Sequence, residues 1–189
     1  MRTSRSSSLP GEISPLMTRS VPQKLLDSGI SISHEFEPGD LGRLIEIHGI
    51  QNFHDYGFSP VHEAYCAQIA CDFILNPNPG RSKAWLAKKD EVVVGSIFIC
   101  ELPGDVAQLR LLFADKSVRG SGLGRWLTED SVCYCREAGF KKVFLWTVDG
   151  LERAIAIYRS LGFEQTGEKT QLVWGRESRE LRFDLILNQ

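Results

Sequence analysis

Apolar positions along this chain switch repeatedly between a period of two and a period near 3.6. Ile30, Ile32 and Phe36 alternate with polar neighbours and predict a first strand over Ile30–Glu37. Pro38-Gly39-Asp40 then makes a turn, with Asp40 as the expected N-cap. Leu41, Leu44, Ile45 and His48 recur at helical spacing until Gly57. Ser59-Pro60 opens a second helix, serine as N-cap and proline at the first helical position, which runs to Leu75 and is stopped by Asn76-Pro77-Asn78-Pro79-Gly80. Lys83–Lys88 and Glu91–Cys100 predict a hairpin about Lys89-Asp90, and Pro103-Gly104-Asp105 leads into a further strand, Val106–Ala114. A helix over Gly122–Ala138, a strand over Lys142–Val148 and a helix over Leu151–Leu161 follow, with Gly139 and Gly162 just past the helix ends. Phe163–Val173 and Arg179–Leu187 read as closing strands. Before Ile30 there is no sustained period. Its Ser, Arg and Pro clusters predict a flexible tail over 1–29 with one helical turn near Gln23–Asp27, ahead of one domain over 30–189.

Composition narrows the class without naming a function. A chain of 189 residues, 42% hydrophobic and 24% charged, is an ordinary globular domain with enough length for a core. A net charge of −2 gives no electrostatic footprint for nucleic acid or anionic membrane. No apolar run approaches the ~18 residues of a membrane span. The basic, serine-rich start runs into Pro10, Gly11 and Glu12 rather than an apolar stretch, so no secretory signal and a cytoplasmic location are expected. The five cysteines are odd in number and scattered, which predicts reduced thiols. Cys133 and Cys135 fall mid-helix, where residues two apart diverge, and no metal site is expected.

Chemistry concentrates in Leu109–Gly124. An apolar run, a short polar turn and Arg119-Gly120-Ser121-Gly122-Leu123-Gly124 open a helix. The first N–H groups of a helix lack internal partners, its dipole favours negative charge there, and glycine lets a phosphate approach the backbone. A P-loop is excluded, because Arg125-Trp126 follow Gly124 instead of lysine and a hydroxyl residue. A dinucleotide fingerprint has a different glycine spacing and an acidic residue ~20 positions on. Here Gly139 and Phe140 stand in that zone, with no carboxylate as far as Val143.

Arg119-Gly120-x-Gly122-x-Gly124 after an apolar strand resembles the pyrophosphate-binding motif of the GNAT superfamily of N-acetyltransferases. Two further segments share the resemblance: the strand Lys142–Val148, and Ala154-Ile155-Ala156-Ile157-Tyr158-Arg159-Ser160-Leu161-Gly162-Phe163, similar to the superfamily's Ala-x-x-x-Tyr-x-x-x-Gly-Phe helix end. The resemblance implies an α/β (α+β) fold of order β-α-α-β-β-β-α-β-α-β-β, with a mixed sheet of about seven strands and about four helices. It implies acetyl-CoA as co-substrate and no metal. Its pantetheine arm would lie between the strands holding Leu112–Ala114 and Leu145–Val148, paired with backbone as an added strand would be. By the same resemblance Leu112, Phe113 and Ala114 contact the arm and the acetyl group, with Leu112 polarising its carbonyl. Gly120, Ser121, Gly122, Leu123 and Gly124 cradle the pyrophosphate, and Arg119 and Arg125 supply charge, Arg125 being equally readable as a solvated helix position. Tyr158 matches the tyrosine that protonates the departing thiolate, although periodicity alone makes it a core aromatic on the face of Leu151, Ala154, Ile155 and Leu161.

Two positions depart from the family pattern. Leu151 replaces a common asparagine, and Gln108 stands where a glutamate base is common; glutamine takes no proton. His48, His54, Glu63 and Asp149 are the remaining basic groups considered. His48 also reads as a packed core histidine and Glu63 as a surface carboxylate, and both helices line the acceptor side in the resembling fold. The segments Gly39–Gly42, His48-Gly49, Tyr56–Phe58, Ala107–Leu112 and Leu145–Leu151 are similar to the acetyltransferase half of MarR-type winged-helix–acetyltransferase fusions. That similarity covers about Ile32 to Leu187, and the tail is too short for a winged helix. The expectation is acetyl transfer to a primary amine of a small molecule, in a stand-alone catalytic unit with a possible homodimer. The competing expectation is a non-catalytic acyl-CoA sensor or partner subunit.

Overall fold

The computed structural model describes residues 19–76 and 79–187. The sequence expectations for 1–18, and for the Pro77-Asn78 part of the helix stop, lie outside the described residues. Seven strands form one sheet: β1 (Ile30–Ser33), β2 (Lys83–Lys89), β3 (Val92–Leu102), β4 (Val106–Ala114), β5 (Lys142–Val148), β6 (Glu164–Val173) and β7 (Arg176–Ile186). Their order is β1-β2-β3-β4-β5-β7-β6, antiparallel except for the β4–β5 pair. The helices are α1 (Gln23–Asp27), α2 (Asp40–Tyr56), α3 (Pro60–Leu75), α4 (Leu123–Glu137) and α5 (Glu152–Ser160), with a short 3₁₀ turn at Lys116–Val118.

Period-two alternation in the central strands divides the core. Ala84 and Leu86 of β2 and Phe98 of β3 pack with Leu44 of α2 and with Cys66 and Ile69 of α3. Trp85, Ala87, Ile97 and Ile99 point the other way, into a larger cluster with Leu123 and Leu127 of α4 and Ile155 and Tyr158 of α5. The sheet is thus covered on both faces. Packing begins before the expected boundary at residue 29: Leu25 of α1 is buried in the larger cluster, and the Arg19 N–H donates to Asp130 Oδ1 at 2.7 Å.

Several boundaries moved for local reasons. β1 ends at Ser33 because the Ser33 hydroxyl donates to the Glu35 carbonyl at 2.8 Å, closing a turn that ends pairing. Asp40 is the first helical residue rather than the cap. Its carboxylate accepts from Glu37 N–H at 2.8 Å and pairs with the buried Lys88 ammonium at 2.9 Å, while Gly39 takes the cap position at φ 103°. The β2–β3 turn falls on Asp90-Glu91, both left-handed, one residue beyond the expected place. β7 starts at Arg176 because Trp174 (φ 51°) and Gly175 (φ 86°) make a two-residue turn that keeps Val173 opposite Arg176. Ser59 does cap α3, its hydroxyl accepting from Val61 N–H, and the five cysteines are all unpaired.

The least exposed charged group among the described residues is Asp130 of α4, 1% exposed, which accepts Trp85 Nε1–H at 2.7 Å as well as the Arg19 N–H. Asp130→Asn keeps the side chain's size but leaves one of the two donors without an acceptor. Urea unfolding is expected to show a loss of about 1–3 kcal/mol, the cost of under-satisfying a buried polar group; an unchanged midpoint would show that the contact contributes nothing.

Candidate active site

The site begins with a break in the sheet. β4 and β5 pair only at Val106–Lys142, Ala107–Val143 and Gln108–Phe144, although both strands continue. Beyond Gln108 the β3–β4 register slips. Ser96 to Phe98 opposes Phe113 to Arg110, so β4 carries one extra residue. Leu111 sits there at φ 50°, a conformation a leucine avoids at a cost of about 1–2 kcal/mol. Burial of its side chain among Leu44, Ile69 and Phe98, worth roughly 1.5–3 kcal/mol, offsets the strain. The Ser96 hydroxyl also anchors the Leu111 carbonyl at 2.7 Å. A bulge bends its strand. Here the bend leaves Leu112 without a register partner on β3 or β5 and opens a cleft of about 940 Å³ between Leu109–Ala114 and Leu145–Thr147.

One end of the cleft is the glycine loop. Gly120 (φ 78°) and Gly122 (φ 94°) are left-handed, and a Cβ at either would meet nothing within 4 Å, so their backbone faces open space. Among the described residues, the N–H groups of Gly120, Gly122, Gly124 and Arg125 donate to no protein acceptor. The first turn of α4 carries no acidic residue. Open backbone donors at a helix N-terminus are suited to an anion. Ser121 departs from expectation: it does not line the cleft, its N–H donates to Val118 O at 3.4 Å, and its hydroxyl accepts from Leu123 N–H at 3.2 Å. It buttresses the loop.

Arg119, expected to supply charge for the pyrophosphate, lines the cleft and is itself paired. Its guanidinium donates to Asp55 at 2.7 Å and Gln51 at 3.0 Å, tying the loop to α2. Burial raises the Asp55 pKa, but hydrogen bonds from Arg119 and Lys116 outweigh it, and the carboxyl titrates below its ordinary range. Arg125 lines the cleft and is bonded to Glu129 at 2.8 Å and Ser160 at 3.2 Å. Arg153, on the first turn of α5, is a cleft-lining cation the sequence reading did not select. Tyr158 lines the cleft between the splayed strands while packing on Phe163 and Phe183. Burial pushes its phenol pKa up, so the hydroxyl keeps its proton.

The other end is aromatic. Trp174, on the tip of the β6–β7 hairpin, packs at a tilt on Phe58 at 4.8 Å and on Tyr65 at 5.7 Å, and meets His62 edge-on at 4.5 Å. The tip is fastened to the α2–α3 junction by Ser59 N–H to Trp174 O at 2.8 Å, by Arg176 to Tyr56 O at 2.8 Å, and by close packing of Gly175 on Ser59. His48 lies deeper, 3% exposed, against Phe113 at 4.9 Å, and its Nε2 has no partner among the described residues. Burial, then the neighbouring His62, lowers its pKa to about 3; burial lowers that of His62 to about 4. Cys66, 3.6 Å from His62 Nε2, is pushed up to about 12 by burial and is no nucleophile.

Of the other basic groups, His54 lines the cleft, while Asp149 does not and pairs with Arg179 at 3.6 Å. Glu63 is turned away from the cleft. Its carboxylate lies over Gly49 of α2, where a Cβ would come within 2.5 Å of it. Its helix neighbour His62 faces the cleft instead. His62, Tyr65, Arg110, Trp174 and Glu180 are cleft residues the sequence did not reveal, since they converge from α3, β4 and the β6–β7 hairpin. Among the described residues no cluster of metal-ligating side chains is present, and no helix is long and apolar enough to cross a membrane.

Comparison with known proteins agrees with this geometry. The chain is 36% identical over 83 residues to an uncharacterized N-acetyltransferase, YjgM, of Escherichia coli K12, covering 42% of this chain and 50% of that protein. It spans about half the length of the curated relatives it matches. A putative GNAT acetyltransferase from Desulfovibrio desulfuricans superposes with a TM-score of 0.67 at 16% identity, over 84% of this chain and 99% of that one. The acetyltransferase yncA of Salmonella typhimurium, solved with its cofactor acetyl-CoA, superposes with a TM-score of 0.64 at 17% identity, over 85% and 95%. The family model described as the acetyltransferase (GNAT) family matches residues 43–163, from α2 through the bulge, the glycine loop and Tyr158, and the chain belongs to that family.

Proposed function

We propose that this chain transfers an acetyl group from acetyl-CoA to the primary amine of a small molecule, by direct attack with both substrates bound. The observation that carries the reading is the cleft itself: strand backbone released by the Leu111 bulge, ending at unpaired N–H groups on the N-terminus of α4. The first is suited to an amide-bearing arm and the second to a pyrophosphate. The residues therefore fit the co-substrate, whose thioester supplies the activated acetyl group. Gly120, Gly122, Gly124 and Arg125 would hold its phosphates, with Arg119 fixing the loop. Backbone of Leu112–Ala114 would orient the arm. Within the family we place the chain nearest the acetyltransferase half of MarR-type fusions, on the α2, β4 and β5 segments that resemble it.

Proton handling follows from burial. Tyr158 lines the cleft with its proton retained, and is the general acid for the leaving sulfur. Gln108 lines the cleft as a neutral amide and takes no proton. His48 and His62 stay neutral above about pH 4, too weakly basic to deprotonate an alkylammonium. The acceptor therefore reacts from its neutral fraction, without either buried histidine as its base.

Tyr158→Phe is expected to lower kcat by about 10²- to 10³-fold with little change in KM for acetyl-CoA, read by CoA-thiol release. Full activity in that variant would remove Tyr158 from the chemistry, and no release by the wild-type chain across a broad amine panel would leave the acyl-CoA sensor in its place. A second expectation concerns pH. The profile of kcat/KM for the amine should rise steadily towards the amine's own pKa, with no limb near ~6.5, the ordinary histidine value. A clear histidine limb would show that an imidazole is the base.

A further inference from the structure

Four arginines line the cleft. Arg119 and Arg125 belong to the phosphate end and pair with Asp55 and Glu129, and Arg153 is on α5. Arg110 is different. It stands on β4 facing α3, two residues before Leu112. Two residues of chain span at most about 7 Å, which bounds the distance from its backbone to that of Leu112, where the acetyl carbonyl would be polarised.

Among the described residues Arg110 makes no ion pair. Its one hydrogen bond is to the Tyr65 hydroxyl at 2.9 Å, and the Tyr65 ring lies 5.5 Å from the guanidinium carbon. A guanidinium has five N–H donors, so most of this one is uncommitted. Glu63 is near enough to act on the same Cys66 thiol as Arg110, yet its carboxylate is turned onto Gly49. Glu180, across the cleft on β7, is held by Lys169 at 3.1 Å and by Gln171. The acceptor end thus offers an open cation next to an aromatic wall, and its carboxylate is already neutralised.

We propose that the acceptor is an amine that also carries a carboxylate, an amino-acid-like molecule with an apolar or aromatic side chain. Arg110 grips the carboxylate through paired N–H donors, and Trp174, Phe58 and Tyr65 take the side chain. A polyamine is disfavoured, because it would bring several positive charges against Arg110. This inference rests on the acetyltransferase reading above.

The test uses the whole chain with matched acceptors: L-phenylalanine against phenethylamine, L-leucine against isopentylamine, and spermidine. Turnover is followed by CoA-thiol release and acetyl-CoA binding by calorimetry. The expected kcat/KM is about tenfold or more higher for each amino acid than for its decarboxylated twin. In Arg110→Gln that ratio falls towards one, mainly through KM for the amino acid, and Arg110→Lys recovers part of it. Thermal melting confirms that both variants fold. A wild-type preference for the decarboxylated amines or spermidine overturns the proposal. So does a ratio that survives Arg110→Gln, or acetyl-CoA binding with no amino acid acetylated. Absence of acetyl-CoA binding would overturn the transferase reading itself, and this inference with it.

Discussion

One extra residue in β4 sets the character of the whole molecule. Had β4 and β5 stayed paired along their length, the sheet would have been closed and the centre of the protein dry. The slip at Leu111 ends that pairing after Gln108–Phe144 and leaves two strands diverging over the buried Tyr158. The strain of a leucine at φ 50° is of the same order as the free energy of burying its side chain, so the bulge persists because the core on the α2–α3 face holds Leu111 in place. The groups the proposed reaction would use are arranged along this opening: the glycine loop at one end, the aromatic wall at the other, the tyrosine between them.

The two ends are stiffened by different means. The loop owes its position to Arg119 bridging to Asp55 and Gln51, so an arginine that could have served only as a counter-charge fixes backbone donors in space. The acceptor end is fixed by a hairpin tip whose Trp174 and Gly175 occupy left-handed positions and lock onto Ser59. Both devices join segments far apart in sequence. A cleft held open by distant ties stays pre-formed for its substrates, which lowers the ordering cost of binding.

What could be read from the chain was what is written locally. Glycine spacing after an apolar strand marked the left-handed loop before α4, and serine before proline marked the start of α3, because these residues act on the backbone beside them. The strand and helix order followed from periodicity. The bulge was not legible: no glycine or proline signals it, and Leu111 continues an unbroken apolar run. Nor did anything local show that a tryptophan would take a left-handed turn position and so lengthen β7 to Arg176. On α3 it is His62 that lines the cleft and not the expected Glu63, a step of one residue that on a helix of 3.6 residues per turn is a rotation of about 100°. Arg110 and Trp174 become partners of one site only after the sheet is assembled.

The central claim is that the opening beyond Leu111 and the unpaired N–H groups of α4 receive acetyl-CoA together. Backbone amide NMR of the full chain, titrated with acetyl-CoA, tests it most directly. The account requires the largest shifts, and new protection from hydrogen exchange, at Leu112–Ala114 and at Gly120, Gly122, Gly124 and Arg125. Shifts confined to other surfaces, or none at saturating ligand, would contradict it.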